Sequence, residues 1–214
     1  MAECCDPAAY GRIFDSKEAE RRLRRYRRKG LDRMAARLLG YLQGRDLVGR
    51  TILEVGGGIG DFQVELLKSG AAGATNVELS GAYERTAREL SDEENLTDRV
   101  ERRLGDFVEE QQSVEPADLV VLNRVICCYP WMDRLMEASV AKTNWLLAIA
   151  VPRDRLVSRI MVKVGNAILR LRGQDFDAYV HSVAGMEAIA ARAGLTRVFI
   201  RQGLVWEGLV FERL

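Results

Sequence analysis

The sequence predicts an α/β protein: a doubly wound, mostly parallel sheet with helices on both faces and an antiparallel hairpin at its C-terminal end. Three observations predict it. From residue 51 onward, short apolar runs alternate with amphipathic stretches, the pattern of strands joined by crossover helices. Gly56, Gly57, Gly58 and Gly60 crowd the point where the first strand hands over to the first helix. The last two apolar runs are joined by a connection too short for a crossover, so they must pair antiparallel.

In chain order, residues 51–56 read as a buried strand and 61–69 as a helix with Phe62, Leu66 and Leu67 inward, closing at Gly70. Residues 74–79 form a second strand, 83–90 a helix that stops in the polar stretch SDEENLTD, and 100–104 a weak third strand. The run ADLVVLN, 117–123, is a fourth strand, and a helix follows Pro130. Residues 144–151 are a fifth strand ended by Pro152; 153–172 are long, basic and amphipathic. A helix over 183–193 ends at Gly194, and strands over 196–201 and 204–212 flank a turn at Gln202-Gly203. That makes seven strands in three layers, α/β/α. The chain divides into an N-terminal helical arm or lid, 1–49, and a main domain, 50–214, which includes the long basic segment 152–181.

Composition sets the bounds. The chain has 214 residues, 48% of them apolar, and a net charge of +1, so no whole-protein field points to nucleic acid. No apolar run approaches the roughly 18 residues of a membrane span, and Met1-Ala2-Glu3-Cys4-Cys5 has no signal-like apolar stretch. A cytoplasmic protein without a membrane partner is expected, as monomer or homodimer. The cysteines come as two adjacent pairs, Cys4-Cys5 and Cys127-Cys128, too few for a disulfide scaffold in a chain this long. Adjacent cysteines chelate one ion poorly and no zinc spacing is present, so no metal is expected.

Charge is uneven along the chain. Residues 11–50 carry 13 Lys/Arg against 5 Asp/Glu, centred on RRLRRYRRKG, 21–30. One reading is a phosphate-binding stripe. The other is a surface helix, with Leu23, Tyr26, Leu31, Met34 and Leu38 at helical spacing and the arginines on the opposite face.

The glycines stand where an α/β sheet binds nucleotides, beyond the carboxyl ends of its strands. Glycine lets a ligand approach the backbone and permits φ > 0, and the following helix offers free N–H groups. The dinucleotide fingerprint G-x-G-x-x-G/A fails in both registers, because Asp61 or Gln63 falls at its third position, and no phosphate loop is present. What stands here is Glu54-x-Gly56-x-Gly58-x-Gly60. This resembles the first motif of class I S-adenosylmethionine-dependent methyltransferases, and the stretch VEPADLVVLNRVICCYP resembles a bacterial subgroup of them. The chain is more distantly similar to the magnesium-protoporphyrin O-methyltransferases.

The resemblance covers roughly residues 50–214. It implies a Rossmann-like methyltransferase sheet, S-adenosyl-L-methionine as cofactor, and a variable insertion on the substrate side at 152–181. Glu54 would face the cationic methionine end, beside Gly56, Gly58 and Gly60. Glu78, with Leu79 at the end of the second strand, would accept both ribose hydroxyls, since a carboxylate offers two oxygens. Asp106 would take the adenine amine with Phe107 against the ring; as the N-cap of the next helix it could also serve there. Asn123, ending the fourth strand, and Tyr26, in the basic N-terminal segment, complete the cofactor set. Asn123-Arg124 departs from the N-P-P-Y ending of enzymes that methylate amide or base nitrogens, which disfavours a DNA or glutamine acceptor.

Methyl transfer is an in-line displacement, so the enzyme chiefly aligns the acceptor, and a base helps an acceptor that carries a proton. His181, the only histidine, is a candidate base at a helix start; Tyr129 and Arg124 are candidate acceptor contacts. The basic segment would lie on a helix closing the cleft, with Tyr26 on its inner face. The expected function is methylation of a small-molecule O- or N-acceptor. The alternatives are a cofactor-binding regulatory protein without turnover and an RNA methyltransferase using the arginine helix.

Overall fold

The computed structural model describes residues 7–174 and 176–214. Three helices precede the sheet: α1 (Pro7–Ile13), α2 (Ser16–Lys29) and α3 (Arg33–Gln43). The helical spacing that runs from Leu23 to Leu38 suggests one continuous helix, but the chain makes two. Gly30 takes φ +65° and closes α2 by donating its N–H to the Tyr26 carbonyl. Asp32 then caps α3, its side chain accepting from the N–H groups of Met34 and Ala35. A glycine in the left-handed region followed by an Asp cap is a stop and a restart.

The rest alternates as the sequence predicts: β1 (Thr51–Val55), α4 (Asp61–Lys68), β2 (Gly73–Glu78), α5 (Glu84–Glu93), β3 (Val100–Leu104), α6 (Phe107–Glu110), β4 (Ala117–Asn123), α7 (Met132–Ala141) and β5 (Thr143–Pro152). Then come α8 (Leu156–Leu171), α9 (Val183–Arg192), β6 (Leu195–Gln202) and β7 (Trp206–Arg213). The strands form one seven-stranded sheet in the order β3-β2-β1-β4-β5-β7-β6. The first five run parallel; β7 lies antiparallel between β5 and β6.

Alternation of side chains splits the core into two layers. Ile52, Leu119, Val121, Leu146 and Val210 face the side covered by α2, α3 and α4. Leu53, Val120, Leu122, Leu147 and Leu209 face the side covered by α7 and α9. Strands buried on both faces read as continuous apolar runs, as ADLVVLN and WLLAIAV do. Helix α3 is part of this body: Leu38 is fully buried, and a Cβ added to Gly208 of β7 would stand 2.9 Å from its Cδ2.

The arginines of α2 are largely answered by neighbouring carboxylates. Arg27 pairs with Glu89 and Glu93 of α5, Arg85 of α5 reaches back to Glu20, and Arg21 pairs with Glu18. The basic run is thus one half of a helix–helix seam. Order also matters for the site. The chain leaves β1 for β2 on one side and returns to β4 on the other, so a crevice opens at the carboxyl ends of β1 and β4, where such sheets hold ligands.

Candidate active site

A cavity of about 290 Å³ fills that crevice. Its floor is the ends of β1, β2 and β4, through Val55, Glu78 and Asn123; Tyr10 of α1, Phe14 from the link to α2, and Glu18 and Arg22 of α2 roof it.

The turn after β1 is built by glycine. Gly58 lies in the wall at φ +61°, a region that costs other residues. At Gly57 a Cβ would stand 2.6 Å from Cδ of Glu54 and 2.3 Å from Nδ2 of Asn76. That crowding fixes Glu54 behind the turn. Glu54 is fully buried, and its Oε2 accepts the Gln63 N–H at 3.1 Å. Its Oε1 has no hydrogen-bond partner among the described residues. It does not line the cavity, nor does Gly60, which starts α4 at φ +77°. The sequence reading has Glu54 facing the ligand; in the structure β1 is buried on both faces, and the side chain points beneath the loop it supports.

Burial, with Asp61 adding to it, pushes the Glu54 carboxyl up to about 8, against the pull of Arg22. Between its ordinary value of 4.5 and about 8, the folded protein holds a proton that the unfolded chain has released. The stability linked to this group is therefore full below pH 4.5 and declines as pH rises toward 8. Glu54→Gln removes that loss. Its melting midpoint should gain on the parent protein by roughly ten degrees between pH 4.5 and pH 8, measured by thermal melts at both. A constant difference across the range would contradict this assignment.

Glu78 faces the cavity from the end of β2. Its Oε2 accepts the Gly58 N–H at 2.8 Å and its Oε1 the Ser80 N–H at 2.9 Å. Each oxygen has a further lone pair for a ligand hydroxyl. Leu79, Asp106 and Phe107 line the adjoining wall. Asp106 caps α6 through the Val108 N–H at 2.9 Å, and the Tyr129 hydroxyl donates to it, 3.2 and 3.1 Å from its two oxygens. Asn123 lines the cavity too, and its Oδ1 is buried with no hydrogen-bond partner among the described residues.

From the roof, Arg22 grips Asp61 of α4 with two bonds, Nη2 to Oδ1 at 2.7 Å and Nε to Oδ2 at 3.3 Å. Burial alone would depress this guanidinium, but Asp61 outweighs it and holds the group above its ordinary value. Spacing alone places Tyr26 here. It lies one turn further along α2, is buried with Leu23, gives its hydroxyl to Glu65, and does not line the cavity. An aromatic ring with one polar tip is better placed in a core beside a satisfied partner. Sequence reasoning missed Arg22 and Asp61 because their pairing joins helices 39 positions apart.

Arg124 follows β4 with φ +66°, unusual for a residue other than glycine. Its guanidinium pairs with Asp32 at 2.8 Å and stacks on Trp206 at 4.4 Å. Burial pulls it below its ordinary value and Asp32 pulls back. Arg124, Tyr129 and Cys128 all line the cavity. The Cys127 and Cys128 sulfurs lie 3.7 Å apart; Cys4-Cys5 falls outside the described residues.

His181 does not reach the cavity. Its Nε2 meets the Tyr129 carbonyl at 2.8 Å and its ring stacks on Tyr179 at 5.4 Å. Burial lowers it, opposed by the carbonyls of Tyr129 and Ile126. His181 thus braces the loop after β4.

The sheet order, the reversed β7 and the crevice define the class: this is the Rossmann-like methyltransferase fold. No family model matches the sequence, and no curated protein matches it. Among solved structures, magnesium protoporphyrin IX methyltransferase from Synechocystis with bound S-adenosylhomocysteine superposes with a TM-score of 0.76 at 16% identity, covering 98% of this chain and 100% of that one. An O-methyltransferase family protein from Burkholderia thailandensis gives 0.67 at 15% identity, over 85% of this chain and 56% of that one. An O-methyltransferase family 2 protein from Planctomyces limnophilus, in complex with apigenin, gives 0.65 at 20% identity, over 85% and 57%.

Proposed function

We propose that the chain is an S-adenosylmethionine-dependent methyltransferase acting on an oxygen or nitrogen of a small molecule. The observation that carries this reading is the Glu78 carboxylate, set in the cavity wall against the Gly58 N–H at the end of β2. The neighbours bound to S-adenosylmethionine or S-adenosylhomocysteine share the fold, and the donor set here fits that cofactor. Glu78 accepts from the ribose hydroxyls. Asp106 takes the adenine amine, with Phe107 and Leu79 against the ring. The Asn123 Oδ1, which has no hydrogen-bond partner among the described residues, accepts from the methionine ammonium, and Arg22 faces its carboxylate.

When bound, the cofactor supplies a methyl group on a sulfonium, which makes it electrophilic toward an oxygen or nitrogen placed in line. The chain's own residues align the two partners and exclude water. Arg124 and Cys128 bound the acceptor end; Tyr129, its hydroxyl oriented by Asp106, stands nearest the adenine side. Roofing by α1 and α2 favours a small acceptor over RNA, and so does the use of α2 arginines in ion pairs with α5.

Calorimetry tests the cofactor directly. The protein should bind S-adenosylmethionine and S-adenosylhomocysteine and show no measurable NAD binding; tighter binding of NAD would sink the reading. Release of S-adenosylhomocysteine on incubation with a small-molecule extract separates an enzyme from a binding protein without turnover.

A further inference from the structure

Helix α8 wears its apolar side outward. Surface helices of globular proteins turn their aliphatic stripe to the core. Here Leu156, Ile160, Val164, Ile168 and Leu171 are each between 44% and 88% exposed, and Val157 and Met161, also exposed, widen the stripe. At 3.6 residues per turn these seven positions fall within an arc of roughly 140°. On the side turned to the protein Ser158 is buried, and Val162, Gly165, Asn166 and Leu169 are half-buried, a narrower and more mixed face than the outward stripe. Asn166 is pinned by two bonds to the backbone of Ala178, Nδ2 to the carbonyl at 2.9 Å and Oδ1 from the N–H at 3.0 Å.

Along one edge of the stripe stand Arg159, Lys163 and Arg170, within roughly 40° of one another around the helix. Arg159 also pairs with Asp154 and Arg170 with Asp177. An exposed aliphatic stripe this long marks an interaction surface, and its basic edge selects the partner. We propose that α8 lies in the plane of an anionic membrane surface, its stripe at the boundary between headgroups and acyl chains and its basic edge against lipid phosphates. A second copy of the chain fits less well, since an antiparallel two-fold pairing of the stripes would set basic edge against basic edge.

The sequence, judged by spanning length, points to no membrane partner, and among the described residues no helix is long and apolar enough to cross a membrane. A helix lying on the surface needs no such length. The anchor also adjoins the site. The segment after α8 packs Phe176 edge-on to Tyr10 at 5.4 Å and to Phe14 at 5.5 Å, both in the cavity wall. The proposal goes beyond the catalytic reading and does not depend on it.

Co-sedimentation with lipid vesicles tests it on the full chain. The protein should pellet with an equimolar mixture of phosphatidylcholine and phosphatidylglycerol, and far less with phosphatidylcholine alone. The double substitution Ile160→Glu, Val164→Glu should bring binding to background. Lys163→Ala should weaken it about fivefold, the worth of one basic residue near an anionic surface. All three positions point outward, so circular dichroism and the melting midpoint should be unchanged. No pelleting with the anionic vesicles would overturn the proposal, as would binding indifferent to the double substitution. A dimer in solution that the double substitution dissolves, without vesicle binding, would instead assign the stripe to a second copy.

Discussion

Glu78→Ala should weaken S-adenosylhomocysteine binding by about tenfold to several hundredfold while the protein still folds. Hydrogen bonds to a charged group are worth roughly 1.5–3 kcal/mol each, and two ribose hydroxyls are at stake, part of the loss being made good by water. The carboxylate also receives the N–H groups of Gly58 and Ser80, so its removal loosens the glycine turn as well. Glu78→Gln separates the two effects. It keeps a side-chain acceptor but loses the charge, and should fall between the parent and the alanine variant. Calorimetric affinity unchanged in Glu78→Ala would mean that the ribose lies elsewhere.

The strands and most helices were legible because their signals are local. The apolar runs at β1, β4 and β5 are continuous since those strands are covered on both faces. The glycine turn announced itself because a Cβ at Gly57 would collide with Glu54 and Asn76. Glu78, Leu79, Asp106, Phe107 and Asn123 line the cavity because strand ends in this topology converge on one crevice. What local pattern does not encode is which side of an element meets a distant partner. Spacing puts Tyr26 with Leu23 but says nothing of Glu65, which takes the Tyr26 hydroxyl. His181 was chosen for its chemistry, yet the path of its segment is set by long-range bonds such as Tyr179 N–H to the Cys127 carbonyl at 2.7 Å. The amphipathic pattern of α8 was plain in the sequence. Its orientation was not, because Ser158, Val162, Gly165 and Leu169 form a second face on the same helix, and spacing alone does not say which of the two meets the body.

Arg22→Ala should cost more in ligand binding than any other single change in α2, and should lower stability as well. The guanidinium joins the roof to the glycine turn through Asp61, and its Nη1 stands 3.0 Å from where a Cβ on Gly58 would lie. Removing it leaves Asp61, one-tenth exposed, without its cation and close to Glu54. Arg22 itself retains 27% side-chain exposure, so the stability loss belongs with charged hydrogen bonds, roughly 1.5–3 kcal/mol, rather than with a fully buried pair. At about 2–4 °C per kcal/mol for a chain of this size, the midpoint should fall by several degrees. Asp61→Asn should cause a similar fall, and the double variant little more than either single one, because both remove the same pair. Ligand affinity should respond more strongly. With Arg22 gone, the cavity wall is left with Glu18 alone as its charged residue from α2; on the proposed reading Arg22 meets the cofactor carboxylate, and truncating one partner of a charge pair at an interface costs about 2–5 kcal/mol. Loss of roughly 30-fold or more is therefore expected by calorimetry. Deleting residues 1–29 removes Tyr10, Phe14, Glu18 and Arg22 together and should abolish measurable binding and turnover while the sheet and α3 remain folded. Outward arginines such as Arg24, 65% exposed, should matter little, since exposed pairs contribute about 0–1 kcal/mol. If Arg22→Ala bound S-adenosylhomocysteine as the parent does, the roof would be a passive cover, and the Arg22–Asp61 pair would serve only to dock α2 on α4.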